Sequence, residues 1–155
     1  MIYSFSPFGF EGSIVSVEVD LRRGIPATDI VGLADSAVKE SRERVQAAIR
    51  NSGLEYPSER VLISLSPADL KKEGAGFDLP IALGVLQKNF TENVLVMGEL
   101  ELSGAIRPVR GVHAACSTAL ASGIQYAIVP MENLNEALET GIKAIGCDTL
   151  CDAYK

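Results

Sequence analysis

The sequence predicts a single mixed α/β domain. Segments with the period-two alternation of strands are interleaved with segments of helical periodicity along the 155 residues. Two strand-like segments follow each other near the start, which favours antiparallel neighbours and therefore a mixed sheet rather than a purely parallel one. Apolar residues make up 47% of the chain, and a chain of this length can bury one substantial core. We therefore expect one domain over residues 1–155.

The first half of the chain carries four strand signals and one long helix signal. Residues 13–21 alternate between apolar and polar side chains, as a half-buried strand does. Asp35 or Ser36 can cap the helix, and Asn51-Ser52-Gly53 can end it. In order, the predicted elements are antiparallel strands over 2–10 and 13–21 with a turn near Glu11-Gly12, a loop over 24–28, a strand over 29–32, a helix from about 35 to 51, and a buried strand over 60–65.

The second half predicts further alternation of helices and strands. Its first segment, residues 66–77, is expected to be a loop with one helical turn, and an apolar helix should begin at Asp78. The predicted elements are a helix over 78–87, a strand over 94–100, a strand or hairpin over 101–106, a helix over 112–122, a strand over 126–129, a helix over 132–139, a strand over 143–145 and a short final helix.

Composition limits the classes of function. A formal net charge of −6 argues against a domain that coats nucleic acid with its whole surface, but it leaves room for a local basic patch. The start lacks a basic signal region, and no apolar run approaches the roughly 20 residues of a membrane span. We expect a cytoplasmic protein with no membrane partner. The cysteines Cys116, Cys147 and Cys151 are expected to be reduced thiols in or near the core, with no metal site.

A glycine loop precedes the predicted helix at Asp78. The segment KKEGAGFD, residues 71–78, could bind phosphate through free backbone N–H groups at a helix N-terminus. However, the nucleotide-binding string of Gly, four residues and Gly-Lys-Ser/Thr occurs nowhere in the sequence. Asp78 would also repel phosphate while it is ionised. The alternative interpretation is a tight turn in which Asp78 caps the helix.

A second loop, over residues 98–112, places two arginines just before a predicted helix. Arg107 and Arg110 flank Pro108 and could bind phosphate, although a solvated loop fits the same composition. Glu99 and Glu101 share a strand face and could also simply be solvated. His113, the only histidine, cannot be matched to a Ser-His-Asp arrangement from the sequence. The residues alone therefore do not predict a hydrolase.

Several segments together resemble the N-terminal, Lon-protease-like domain of ComM/YifB-type proteins, which are magnesium-chelatase-related AAA+ ATPases. The block IVGLADSAVKESRERV, residues 30–45, is similar to a characteristic block of that family. The other matching segments follow in the family's order, and together they cover nearly the whole chain: residues 51–53, 65–74, 77–82 and 98–109.

The resemblance implies a fold like the proteolytic domain of Lon, a ribosomal protein S5 domain 2-like fold also found in RadA. In Lon, a serine and a lysine form the catalytic dyad. By the matching motifs, the serine position falls at Asp78 and the lysine position at or beside His113. A carboxylate cannot replace the hydroxyl nucleophile, and the dyad lacks its base. We therefore expect these to be vestigial positions and the domain to have no catalytic residues and no peptidase activity.

The resemblance also implies a larger ATPase. Full-length relatives continue into an AAA+ module that binds ATP and magnesium, absent from residues 1–155, and form hexameric rings that drive DNA branch migration in natural transformation. This domain is then expected to bind no cofactor, and to assist its own AAA+ module by DNA contact or ring assembly. The alternatives are a purely structural oligomerisation module and a magnesium chelatase subunit. The residues expected to contact DNA are Lys39, Arg42, Lys71, Lys72, Arg107 and Arg110.

Overall fold

A computed structural model of the protein describes residues 1–7, 12–68, 70–72 and 74–154. The predicted turn residue Glu11 and the end of the first predicted strand lie outside them. The elements are β1 (Ile2–Ser6), β2 (Ser13–Arg22), β3 (Ala27–Val31), α1 (Ser36–Lys39), α2 (Ser41–Asn51), β4 (Arg60–Ser66), α3 (Asp78–Val85), β5 (Val94–Val96), β6 (Glu99–Leu100), β7 (Ile106–Arg107), α4 (Val112–Ala121), β8 (Tyr126–Pro130), a 3-10 turn (Met131–Asn133), α5 (Leu134–Glu139), β9 (Lys143–Cys147) and α6 (Leu150–Tyr154).

Seven of these strands form one sheet in the order β3-β4-β2-β1-β5-β8-β9, and β6 pairs with β7 in a separate hairpin. Strand β2 is antiparallel to β1 and β4, whereas the other neighbouring pairs are parallel. The predicted mixed α/β fold is therefore confirmed. Because six strands of the described sheet run in the same direction, their carboxyl ends meet at one edge, which is where open α/β sheets bind ligands.

Helices cover both faces of the sheet. Helices α2, α3 and α6 contribute apolar side chains to one core cluster, and α4 and α5 contribute to a second cluster on the opposite face. Helix α3 is the most deeply placed, and all its residues except Gly84 are buried. This position explains why its sequence is apolar on every side instead of amphipathic.

Several predicted boundaries differ from the structure, and three of the differences have an identifiable physical cause. The single helix expected over 35–51 is interrupted at Glu40, although Asp35 caps its start as predicted, accepting a 2.8 Å hydrogen bond from the Val38 N–H. The strand expected over 94–100 ends at Val96, because Gly98 hydrogen-bonds to the loop before α3 instead of to a neighbouring strand. Strand β3 ends before Gly32, whose φ of 112° turns the chain away.

The three cysteines are free thiols, and Cys116 and Cys147 lie in the core as predicted, while Cys151 is partly exposed. Burial raises the pKa of Cys116 to about 11, so its thiol stays protonated at neutral pH. Among the described residues, no group of three or more His, Cys, Asp or Glu side chains is placed to hold a metal ion. None of the helices in the described ranges is long and apolar enough to span a membrane.

Candidate functional site

The position of the candidate site follows from the opposite directions in which the chain leaves two neighbouring strands, β1 and β5. After β1 the chain turns to β2 on one side, and after β5 it crosses through the β6–β7 hairpin and α4 to β8 on the other side. The strand order therefore reverses between β1 and β5. In open α/β sheets a crevice opens beyond the carboxyl ends of two such strands, and it is the usual position of a ligand.

A cleft of about 350 Å³ lies at this position. We call it the loop cleft. It is lined by Phe5, Pro7, Gly74, Ala75, Gly76, Met97, Glu99, Pro108, Val109 and Arg110. Both loops singled out in the sequence contribute a wall, and the side chains are apolar except for one carboxylate and one guanidinium. Larger grooves of about 600 and 730 Å³ exist elsewhere, but neither contains a residue of these two loops.

Backbone hydrogen bonds hold the first wall of the loop cleft in place. The Gly98 N–H donates to the Gly76 carbonyl (3.1 Å), and the Leu79 N–H donates to the Gly98 carbonyl (3.0 Å). A side chain at Gly98 would approach Leu79 and Ile106 to within 3.1–3.2 Å, so a glycine allows this close passage. The segment after β5 and the start of α3 are therefore fixed against each other.

Beneath this wall, Asp78 is fully buried and accepts four hydrogen bonds. Arg44 binds both carboxylate oxygens, with 2.7 Å from Nε to Oδ2 and 3.0 Å from Nη2 to Oδ1. The Ser41 hydroxyl donates to Oδ1, and the Leu100 N–H donates to Oδ2 at 3.0 Å. The hydrogen bond from Arg44 to Asp78 raises the pKa of the guanidinium, which stays charged. One carboxylate thus joins α2, α3 and the β6–β7 hairpin.

This network corrects the expectation that Asp78 caps its helix. Asp78 is the first residue of α3, and the N-cap position belongs to Phe77, which makes no side-chain capping bond. The carboxylate points instead into the interior, where the guanidinium of Arg44 occupies both of its oxygens. Ser41 and Arg44 were not predicted as site residues, although both belong to the block over residues 30–45.

Asp78 and His113, the two positions matched to a protease dyad, have different surroundings. Asp78 is buried, whereas His113 lies on the exposed surface of α4. The hydrogen-bond partners found for the Asp78 carboxylate among the described residues are Ser41, Arg44 and Leu100, and His113 is not one of them.

Asn133, which sequence reasoning missed, holds the second wall of the loop cleft. Its side-chain oxygen accepts from the Val109 N–H and its amide donates to the Val109 carbonyl, each at 3.0 Å. The amide also donates to Glu136 at 2.5 Å. Asn133 is only 7% exposed. The side chain therefore replaces the strand partner that Val109 lacks, and it sets the position of the loop that carries Arg110.

Replacing Asn133 with leucine is expected to lower the free energy of unfolding by about 1–3 kcal/mol, because two backbone groups of Val109 lose their partners in a partly buried site. Urea denaturation measures the change. The matched control is Asn51→Leu, which removes one hydrogen bond to Leu102 from an exposed side chain and should cost less than about 0.5 kcal/mol. Equal losses in the two variants would show that Asn133 has no special role in holding this loop.

The structure separates the basic residues predicted to contact DNA. Only Arg110 lines the loop cleft, and the Nε of Arg107 lies 4.0 Å from Glu101. Lys39 and Arg42 occur together where α1 meets α2, since the Arg42 Nε donates to the Lys39 carbonyl at 3.2 Å. The residues that are exposed are Lys39, Arg42, Lys71, Arg107 and Arg110.

Lys72 does not fit the predicted DNA-contacting surface. Its side chain is fully buried, and its ammonium donates a hydrogen bond to the Pro67 carbonyl. The backbone of Lys72 also pairs with the segment after β3, because its N–H donates to the Leu33 carbonyl at 3.1 Å. Lys72 therefore belongs to the interior, where a charged group needs protein partners in place of water.

The fold and the loop cleft define an α/β domain with an open cleft at the carboxyl edge of a largely parallel sheet. The chain belongs to the family described as subunit ChlI of Mg-chelatase, whose family model matches residues 17–133. Within that family it is ComM-like. It is 40% identical over 142 residues to YifB of Escherichia coli and 38% identical over 143 residues to competence protein ComM of Haemophilus influenzae, each alignment covering 88% of this chain.

An uncharacterized protein of Mycobacterium tuberculosis is 42% identical over 155 residues, with 96% of this chain covered. The chain spans 28–31% of the length of these three relatives. A weaker similarity, 26% over 160 residues, extends to Lon protease 2 of Bacillus subtilis and covers 89% of this chain and 29% of that protein. The predicted kinship with ComM/YifB-type proteins and, more distantly, with Lon is thus confirmed.

Proposed function

We propose that this domain is a non-catalytic, DNA-contacting part of a ComM-like ATPase of the magnesium-chelatase family. The observation that carries the proposal is the composition of the loop cleft. Its described lining includes Arg110 but no hydroxyl, thiol, imidazole or ammonium group. Such a lining offers surface and charge to a ligand without the activated nucleophile that acyl transfer requires.

The geometry of the second wall favours a phosphate-bearing ligand. Arg107 and Arg110 are exposed on either side of Pro108, and a planar guanidinium can donate two parallel hydrogen bonds to phosphate oxygens. Pro108 and Val109 line the cleft beside Arg110, and Arg107 directly precedes them in the sequence. A single strand of DNA presents both a charged backbone and apolar base faces, so it matches a cleft of this mixed character.

The activity of a longer protein belongs to the same proposal. The curated relatives are about three times the length of this chain, and we place ATP and magnesium binding in an AAA+ module outside residues 1–155. We infer that the longer protein is a cytoplasmic ring that moves DNA branches during natural transformation. Its similarity to a competence protein supports the role in transformation. In that ring this domain contacts DNA or helps the subunits to assemble, and the ATPase module drives the movement of DNA.

Two alternative functions can be distinguished from DNA contact. A purely structural oligomerisation module is favoured by large apolar side chains exposed around β9, among them Ile145 at 63%. A magnesium chelatase subunit is favoured by the description of the family alone. Sedimentation of the domain with and without DNA distinguishes the first alternative, which predicts self-association and no DNA affinity.

The test is a titration of the purified domain with fluorescent single-stranded and branched DNA over a range of salt concentrations. We expect the R107Q/R110Q double variant to bind more weakly and, for single-stranded DNA, to lower the slope of log K against log salt by about 1.4, roughly 0.7 for each lost phosphate contact. The charge-matched control is R22Q/R23Q, because Arg22 and Arg23 lie at the end of β2, on the opposite edge of the sheet from the loop cleft.

Equal binding by R107Q/R110Q and the unmodified domain would contradict the proposed contact. An equal loss of DNA affinity in R22Q/R23Q would show that the effect of the R107Q/R110Q substitutions is a non-specific effect of charge. Casein provides the accompanying test of catalysis. Cleavage of casein that disappears in Asp78→Ala would contradict the non-catalytic assignment.

A further inference from the structure

Strand β9 forms one edge of the seven-stranded sheet, and among the described strands it pairs only with β8. The Lys143 N–H donates to the Gln125 carbonyl, on the β8 side, at 3.0 Å. Because successive residues of a strand direct their N–H and C=O groups to opposite sides, Ala144 and Gly146 direct theirs away from β8. The outer edge of β9 therefore presents two donors and two acceptors in strand geometry.

Large apolar side chains are exposed around this edge. Ile145, at the centre of β9, is 63% exposed, and Leu138 at the end of α5 is 49% exposed. Both line the same groove of about 600 Å³ together with Tyr126 and Lys143. Met131, 44% exposed, lies directly over Gly146, since a Cβ built at Gly146 would be 2.9 Å from its sulfur. An open strand edge flanked by apolar groups is the surface that soluble proteins usually protect or pair.

We propose that this edge pairs in antiparallel fashion with β9 of a second copy of the chain, with Ile145 on the two-fold axis. In this register Ala144 of one copy faces Gly146 of the other, and each pair exchanges two hydrogen bonds. The outward N–H and C=O groups of both Ala144 and Gly146 are then hydrogen-bonded. A shifted register within the five residues of the strand would leave at least one of these two residues without partners. Ile145 then faces its own symmetry mate in a non-hydrogen-bonded pair, where opposing side chains approach most closely.

No like charges oppose each other in this register. Lys143 of one copy lies opposite Cys147 of the other. Burial raises the pKa of the Cys147 thiol, so the thiol is uncharged at neutral pH and does not repel the ammonium. The contact is isologous, so it closes at two copies and does not by itself build a ring.

Analytical ultracentrifugation across a dilution series tests the dimer without any DNA present. We expect a dimer that dissociates on dilution, and a monomer at every concentration for Ile145→Lys, which sets two like charges against each other on the axis. The matched control is Leu102→Lys, the same substitution at a leucine that is 57% exposed in the β6–β7 turn, and it should dimerise normally. A monomeric unmodified domain, or an Ile145→Lys variant that dimerises normally, would overturn the proposal.

A second variant separates strand pairing from simple apolar contact. Ala144→Pro removes an N–H that points outward, so it deletes a hydrogen bond of the dimer but none to β8. We expect a folded monomer, and a folded Ala144→Pro dimer would show that the strands do not pair. Should this variant fail to fold, hydrogen exchange of the unmodified domain decides. The Ala144 and Gly146 amides should exchange slowly in concentrated samples and quickly in dilute ones, and concentration-independent exchange would overturn the pairing.

Discussion

Replacing Arg44 with methionine is expected to remove about 3–5 kcal/mol from the free energy of unfolding, because it leaves the carboxylate of Asp78 buried without its counter-charge. Asp78 is fully buried, and Arg44 is 20% exposed and binds both of its oxygens. The guanidinium also donates to the Ala37 carbonyl at 2.8 Å, so α1 loses a contact as well. Urea or guanidinium denaturation measures the loss.

Two further variants define the cause of that loss. Arg42→Met makes the same change at an exposed arginine of α2 and should alter stability by less than about 0.5 kcal/mol. The double variant R44M/D78N should recover part of the stability lost in Arg44→Met, because a neutral amide costs less to bury than an unpaired carboxylate. Losses that simply add in the double variant would show that the two side chains are not coupled.

Gly32→Ala is expected to be about as damaging, with a loss of about 3–5 kcal/mol. Gly32 ends β3 with a φ of 112°, a conformation that side chains rarely permit. A Cβ at this position would lie 2.1 Å from the Leu65 carbonyl oxygen, which is backbone of β4 and cannot move aside alone. Two penalties therefore coincide, a strained backbone and a collision with the neighbouring strand.

Gly53→Ala isolates the first of these penalties. Gly53 has a φ of 76°, and a Cβ built there would meet nothing within 4 Å. Its loss should be about 1 kcal/mol, the ordinary cost of a positive φ for alanine. Thermal or urea unfolding of both variants gives the comparison. If Gly32→Ala loses no more stability than Gly53→Ala, Gly32 does not approach the Leu65 carbonyl in solution as closely as described.

The order of helices and strands was predictable because it depends on local periodicity. The alternation over residues 13–21 and the apolar run after Asp78 predicted β2 and α3, both of which the structure confirms. Boundaries set by distant contacts were not predictable. The interruption at Glu40 places Ser41 and Arg44 beside Asp78, more than 30 residues away along the chain.

The candidate site residues also divide into those identifiable from the local sequence and those whose role depends on distant contacts. Arg110 was identified from its loop, and the structure places it in the loop cleft. Lys72 was expected on the surface because lysine is seldom buried. Its backbone instead pairs with Leu33, which is distant along the chain, and its ammonium donates to the Pro67 carbonyl in the interior. Asn133 carried no signal, since its importance arises only when β8 brings it to Val109. The block over residues 30–45 similarly supplies an interior ion pair through Arg44, besides the exposed Lys39 and Arg42.

DNA is the ligand that we expect the loop cleft to bind. The most direct measurement is a titration of the isotope-labelled domain with a short single-stranded oligonucleotide, followed by amide NMR shifts. We expect the shifts to concentrate at Gly74, Gly76, Val109 and Arg110, which line the cleft, and to disappear at high salt. Shifts confined to the opposite edge of the sheet, or no shifts at all, would contradict it.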